Sequence, residues 1–294
     1  MPDQTGKTII VTGANSGLGL ASAKKLSQKG ATVILACRSE ERGQQAAQEI
    51  ARTAATPPQV LILDLADLRS IRDFAAAFLD NHDRLDVLLN NAGIMATPYG
   101  TTRDGFEQQI GVNHLGHFAL TGLLIDRLRS TPQSRIVHVS SLAARNGTIQ
   151  PETFCHPSDY KPWPAYNQSK LANLMFTREL HRRLAGTDIR VLAAHPGGAS
   201  TNLGRHVDSG PVVRWLAERV LLPLLPSAEQ NAAPQLMAAT APGARSDTYY
   251  GPGGFGQIKG APRTVHFPKT IGTPEDWQRL WSVSEHLTGV QFLS

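Results

Sequence analysis

Thr12-Gly-Ala-Asn-Ser-Gly-Leu-Gly19 follows directly on the apolar run Thr8-Ile-Ile-Val11. The run has the β-branched, uninterrupted composition of a strand buried on both faces. The glycines that end it, Gly13, Gly17 and Gly19, read as a tight turn into a helix whose first backbone amides can hold a pyrophosphate. A glycine-rich turn alone is often only a turn. Here the strand before it and the helix after it complete the cradle.

The same alternation continues downstream. Ile9–Thr12 precedes a helix at about Leu18–Lys29, Thr32–Ala36 one at about Glu40–Thr53, and Val60–Leu63 one at Leu68–Asn81. Leu85–Leu89 leads into a long helical stretch through Asn113 and Leu124, and Arg135–Val139 and Ile189–Ala194 supply two further strands. Such alternation implies right-handed crossovers and a parallel sheet covered on both faces, an α/β fold. Pro151, Pro157, Pro162 and Pro164 punctuate a long loop, with Pro164 placed to open the next helix. Gly251–Gly256 and Pro262–Pro274 read as irregular, and Pro274–Leu287 as a terminal helix. No linker, repeat or composition shift divides the 294 residues, so 1–294 reads as a single domain.

Apolar residues at 41% and charged ones at 18% suit a soluble globular protein. The net charge of +5 is dispersed, with His181-Arg-Arg183 its densest cluster. That pattern fits solvated helix faces rather than a nucleic-acid surface. Cys37 and Cys155 are isolated, which suggests neither a metal site nor a disulfide framework and fits a reducing, cytoplasmic setting. The first strand begins by Lys7, leaving no room for a signal peptide or N-terminal anchor. Val212–Leu225 is the most membrane-like stretch, but Arg214, Glu218, Arg219 and Pro223 interrupt it, short of the roughly 20 apolar residues a bilayer requires.

Far downstream, Tyr166-Asn-Gln-Ser-Lys170 puts a phenol and an ammonium on one helix face. With this pair, and with Asp64-Leu65, Asn90-Asn-Ala-Gly93, Asn113, Ser140-Ser141 and Pro196-Gly197 followed by Thr201, the chain resembles the short-chain dehydrogenase/reductase family from about Lys7 to at least Leu203. Ala36-Cys-Arg-Ser39, the long Ser141–Tyr166 interval and Ser169-Lys-Leu-Ala-Asn173 are most similar to its retinol-dehydrogenase-like branch. The resemblance implies a Rossmann-like doubly wound, mostly parallel seven-stranded sheet with helices on both faces. It also implies a nicotinamide cofactor, a carbonyl or alcohol substrate and a homodimer or homotetramer.

The family's roles carry over residue by residue. Gly13, Asn15, Ser16, Gly17, Leu18 and Gly19 would face the phosphates, and Asp64 and Leu65 the adenine. Asn90, Ala92, Gly93, Pro196, Gly197 and Thr201 would lie along the cofactor, joined by Tyr166 and Lys170. Arg38, after a strand whose end lacks an acid until Glu40, could pair a 2′-phosphate and favours NADP(H). Tyr166 would exchange a proton with the substrate oxygen, its phenolate favoured by Lys170 and by an oxidised nicotinamide. Ser141 would bind that oxygen, with Ser140 turned the other way, and Asn113 would help hold Lys170. His114 and His117 lack matching acidic or cysteine ligands and read as helix residues near the site floor, not as a metal site. His195 lies on the loop that would pass the nicotinamide.

These residues describe an oxidoreductase that moves hydride between NADP(H) and a carbonyl/alcohol pair, with reduction of a bulky apolar ketone or aldehyde the favoured direction. A non-catalytic NADP(H)-binding sensor is the alternative, although it would not need the Tyr–Lys pair. Residues 203–226, which carry Trp215 and several leucines, are expected to cover the substrate, with Arg145–Trp163 as the opposite wall; core packing, a subunit contact or a membrane-surface helix are the alternatives for 203–226.

Overall fold

The computed structural model describes residues 1–198 and 227–293. Thr201 and the expected substrate cover at 203–226 lie outside the described residues. β1 (Thr8–Thr12) is buried along its whole length and leads through the glycine turn into α1 (Gly17–Gln28). β2 (Thr32–Cys37), α2 (Glu40–Ala51), β3 (Gln59–Ile62), α3 (Leu68–Asn81) and β4 (Val87–Asn90) follow. The expected long helix begins only at Gln108, as α4 (Gln108–Ile110), a π-helical turn (Gly111–Leu115) and α5 (Gly116–Ser130). β5 (Arg135–Val139), α6 (Pro162–Arg183), β6 (Arg190–Ala194), α7 (Ala228–Asn231), α8 (Ala233–Thr240), β7 (Thr248–Pro252), β8 (Pro262–Val265) and α9 (Pro274–Thr288) complete the described chain.

Among the described residues the sheet has eight strands in the order β3-β2-β1-β4-β5-β6-β7-β8, all pairs parallel except β7 with β8. The eighth strand corrects the expected seven, and it occupies a stretch read as irregular. Pro262 opens it at the sheet edge, where a missing amide costs no ladder bond, and half-exposed residues hide its strand character. Likewise α6 begins at Pro162, two residues before the expected Pro164.

Alternation along the strands divides the core. Ile10, Ile34, Leu88 and Ile136 meet α3, α5 and α6 on one face, while Ile9, Val11, Val33 and Val137 meet α1, α2 and α8 on the other. Strand order reverses between β1 and β4, and at such a switch point the carboxyl ends of the strands open a crevice.

Candidate active site

A cleft of about 310 Å³ opens at that switch point. Its walls bring together Gly13, Asn15, Ser16, Gly17, Leu18, Gly19, Arg38, Asp64, Leu65, Ala92, Gly93, Tyr166, Lys170 and Pro196, drawn from stretches more than 180 residues apart.

The glycine turn has the shape of an anion cradle. Gly13 (φ +66°) makes the turn, and a Cβ there would lie 3.1 Å from Ala92. Gly17 (φ +53°) has nothing within 4 Å of where its Cβ would sit, so its backbone is open to close approach. A Cβ on Gly19 would strike the Gly13 carbonyl oxygen and come within 2.7 Å of Asn91 Nδ2. The Ser16 side chain caps none of the α1 amides, whereas Ser39 and Asp67 cap α2 and α3 with their side chains. The first amides of α1, with no acid in its first turn, therefore face the cleft free to bind an anion. A dinucleotide pyrophosphate fits this cradle.

Arg38 is exposed at the end of β2, beside the cleft. Asp64 folds its carboxylate onto the Ala66 amide at 3.0 Å, leaving the capping of α3 to Asp67. Asn90 does not line the cleft. As the last residue of β4 its side chain enters the sheet face and donates to Thr121 Oγ1 at 3.1 Å; the next residue, Asn91, lines the cleft instead. Gly197 (φ +80°) packs against Gln257 and Ile258 behind Pro196.

The four proposed catalytic residues meet at the other end. Asn113 occupies the middle of the π-turn, where Oδ1 accepts from the Ile94 amide at 2.8 Å. Its Nδ2 donates to Ile94 O and to Ser169 Oγ. A Cβ on Gly93 would stand 3.0 Å from Lys170 Nζ and 3.1 Å from Asn113 Oδ1, so these two groups converge on that glycine. Lys170 Nζ donates to Val139 O at 3.2 Å. Ser141 stands beside the Tyr166 hydroxyl with its Oγ accepting from the Ala143 amide at 3.2 Å, while Ser140 donates backward to Lys170 O at 2.7 Å. Trp163 stands edge-on to the Tyr166 ring at 6.1 Å with half its surface exposed.

Burial dominates the local electrostatics. It lowers Lys170 to about 8 and raises Tyr166, an effect that the neighbouring Ser141 hydroxyl partly offsets. The chain's own groups thus favour a neutral phenol at Tyr166, whereas the expected phenolate draws also on an oxidised nicotinamide. Burial also keeps His114 at about 3 and His117 and His195 at about 4, neutral at physiological pH. The expectation for 145–163 as a wall meets a pinned segment: Tyr160 donates to Thr97 O at 2.8 Å and Phe154 is fully buried.

Asn91, Ile94, Gln108 and Val112 also line the cleft and were not singled out from sequence. Asn91 was within reach, being the second asparagine of the Asn90–Gly93 motif. Gln235, which binds Asn91 Oδ1 at 3.0 Å from α8, carried no signal.

The fold and this constellation define a dinucleotide-dependent oxidoreductase, and the chain belongs to the short-chain dehydrogenase family, whose model matches residues 7–211. Within it the chain falls in the retinol-dehydrogenase-like branch. It is 41% identical to retinol dehydrogenase 14 of Mus musculus over 97% of this chain and 86% of that protein. It is 49% identical to human retinol dehydrogenase 11 over 72% of this chain and 66% of that protein. Among solved structures, an uncharacterised protein from Mycobacterium paratuberculosis superposes with a TM-score of 0.82 at 43% identity, covering 99% of this chain and 97% of that one. A short-chain dehydrogenase from Shigella flexneri, solved with NADP, superposes at 0.65 and 25% identity, over 83% and 95% of the chains. Among the described residues no helix is long and apolar enough to cross a membrane.

Proposed function

We propose that this chain reduces apolar aldehydes or ketones with NADPH, and that Tyr166 is the proton donor. The observation that carries the reading is the buried, neutral Tyr166 hydroxyl paired with Ser141 at the mouth of the anion cradle. When bound, the nicotinamide supplies the hydride. Tyr166 gives its proton to the carbonyl oxygen as negative charge develops there. Ser141 hydrogen-bonds the same oxygen and orients it. Lys170, lowered to about 8 by burial and still mostly charged at pH 7, stabilises the phenolate that Tyr166 becomes. Asn113 keeps the Ile94 backbone and Ser169 in register with this group.

NADPH is favoured over NADH by Arg38, an exposed guanidinium after a strand whose final residues, Ala36 and Cys37, carry no acid to repel a 2′-phosphate. Apolar substrates are supported by the exposed indole of Trp163 beside Tyr166 and by the apolar Ile94 and Val112 in the cleft wall. The names of its relatives make retinaldehyde the first compound to try. A cofactor-consumption screen of retinaldehyde, aromatic, steroidal and lipid carbonyls, each with NADPH and NADH, tests the reading. Turnover with NADPH supports it; tight NADPH binding with no turnover across the panel would favour the sensor alternative.

A further inference from the structure

Thr12 ends β1, and its hydroxyl is fully buried. Three neighbours surround that oxygen at hydrogen-bonding distance. The Asn91 and Ala92 amides both approach it at 2.9 Å, and His117 Nε2 lies 2.9 Å away. His117 is itself buried, on the first turn of α5, and its Nδ1 lies 3.0 Å from the backbone oxygen of Asn113.

Donor and acceptor roles follow from these contacts. A carbonyl oxygen only accepts, so Nδ1 must carry the ring proton that Asn113 O receives. Burial keeps the ring neutral, so Nε2 is bare and accepts. Thr12 therefore donates its one proton to Nε2. Its two lone pairs then point at the Asn91 and Ala92 amides, and every site on the hydroxyl is used. Without the ring, the proton would turn toward Leu89 O, 3.4 Å away, and the lone pairs would swing off the amides. The Asn91 amide divides its bond between Thr12 Oγ1 and Leu89 O, so Ala92 depends more on Thr12.

The chain of bonds thus starts at the π-turn that carries Asn113 and ends at the loop that forms the cleft wall facing the glycine turn. We propose that His117 is a positioning residue: by fixing the tautomer-dependent direction of the Thr12 hydroxyl, it locks the Asn91–Ala92 wall of the dinucleotide cleft to the π-turn carrying Asn113. The buried ring does not line the cleft. Its effect passes through Thr12 on one side and Asn113 O on the other. The dinucleotide part of this inference rests on the reading of the cleft given above; the lock itself does not.

Two measurements on the dinucleotide-free protein read the lock directly. Nitrogen-15 spectra should show His117 as the Nδ1–H tautomer. Amide exchange at Ala92 should speed up about tenfold or more in His117→Phe and in Thr12→Val, yet stay at the wild-type rate in Thr12→Ser, which keeps the hydroxyl. Exchange at Leu88, inside β4, should not change, which separates loss of the lock from general loosening. NADPH binding, followed by fluorescence, should weaken about tenfold in both disruptive variants, with the double variant no weaker than either single one. An Nε2–H tautomer would overturn the proposal, as would unchanged Ala92 exchange in either disruptive variant, and Thr12→Val decides the matter if His117→Phe does not fold. Failure of the wild-type protein to bind NADPH or NADH would overturn the reading of the cleft, whereas Ala92 exchange still decides the lock.

Discussion

Ser140 and Ser141 are neighbours in the chain but act on opposite sides of the strand end: Ser140 donates to Lys170 O at 2.7 Å, and Ser141 stands beside the Tyr166 hydroxyl. The strand's alternation sends one hydroxyl to brace α6 and the other to its chemically exposed face. Lys170 and Tyr166, one turn apart on α6, are thereby held against β5, with Lys170 Nζ 5.8 Å from the Tyr166 ring centroid. The acid, its oxygen-binding partner and its electrostatic neighbour share one rigid corner of the sheet.

Removing the phenolic proton should therefore stop chemistry without emptying the cleft. Tyr166→Phe keeps the ring against Trp163 and should lower turnover by about two to four decades, with NADPH affinity within about twofold of wild type. Reduction in the intact protein should also weaken above about pH 8, where Lys170 loses its proton and ceases to stabilise the incipient phenolate. A pH–rate profile with saturating NADPH checks both. Normal turnover in Tyr166→Phe, or a rate that climbs through pH 9, would assign the proton to another group.

Cofactor choice should turn on one side chain. Arg38→Asp replaces a phosphate partner with a group that repels phosphate and can accept from a ribose hydroxyl. The Michaelis constant for NADPH should rise by about one to two decades, the value of a lost bidentate charged contact, while that for NADH falls. Equal efficiency with NADH in the unmodified protein would remove the basis for the NADP(H) assignment.

The sheet was readable because its buried strands are largely apolar runs set between helices of 3.6 periodicity, and Ile9–Val11 and Val87–Leu89 show this directly. β8 was not, since an edge strand opened by a proline and half-exposed offers no such pattern. The motif Asn90–Gly93 points to Asn90, but spacing alone cannot tell which asparagine leaves the sheet face, and it is Asn91 that turns toward the cleft. The π-turn at Gly111–Leu115 has no composition of its own, yet it sets where Asn113 points. Gln235 reaches the site from α8 through a tertiary contact that no local pattern encodes.

The buried histidines should make the fold sensitive to mild acid. His114, His117 and His195 are held at about 3, 4 and 4 in the folded state, against about 6.5 in the unfolded chain. Between these values the unfolded chain binds more protons, so stability is full above about pH 6.5 and declines as pH falls toward 4. A tenfold difference in proton affinity between the two states corresponds to about 1.4 kcal/mol, so the loss over this window should amount to several kcal/mol. Glu107, raised by burial, opposes the trend near its own titration but is a single group against several. Urea midpoints at pH 7.5, 6.0 and 4.5 give the slope, and a flat series would show that the imidazoles accept protons without unfolding the core.

Gly19 gives the sharpest steric test of the cradle. A helix interior ordinarily gains up to about 1 kcal/mol when glycine becomes alanine. At Gly19, however, the added Cβ would meet the Gly13 carbonyl oxygen and stand 2.7 Å from Asn91 Nδ2. Both are anchored: Gly13 donates to Ala36 O at 2.8 Å, and Asn91 Nδ2 donates to Thr12 O at 2.8 Å. Neither can retreat without breaking a bond at the turn, so overpacking should outweigh helix propensity and cost about 1–3 kcal/mol. The displaced turn should also lose NADPH affinity by about tenfold or more, because its amides no longer converge on one anion. Gly243 is the matched comparison, with nothing within 4 Å of its Cβ position, and Gly243→Ala should leave both quantities within error. Thermal melts and NADPH titrations of the two variants decide it, and a Gly19→Ala protein as stable and as tight-binding as wild type would show that helix and turn do not pack as closely as the structure places them.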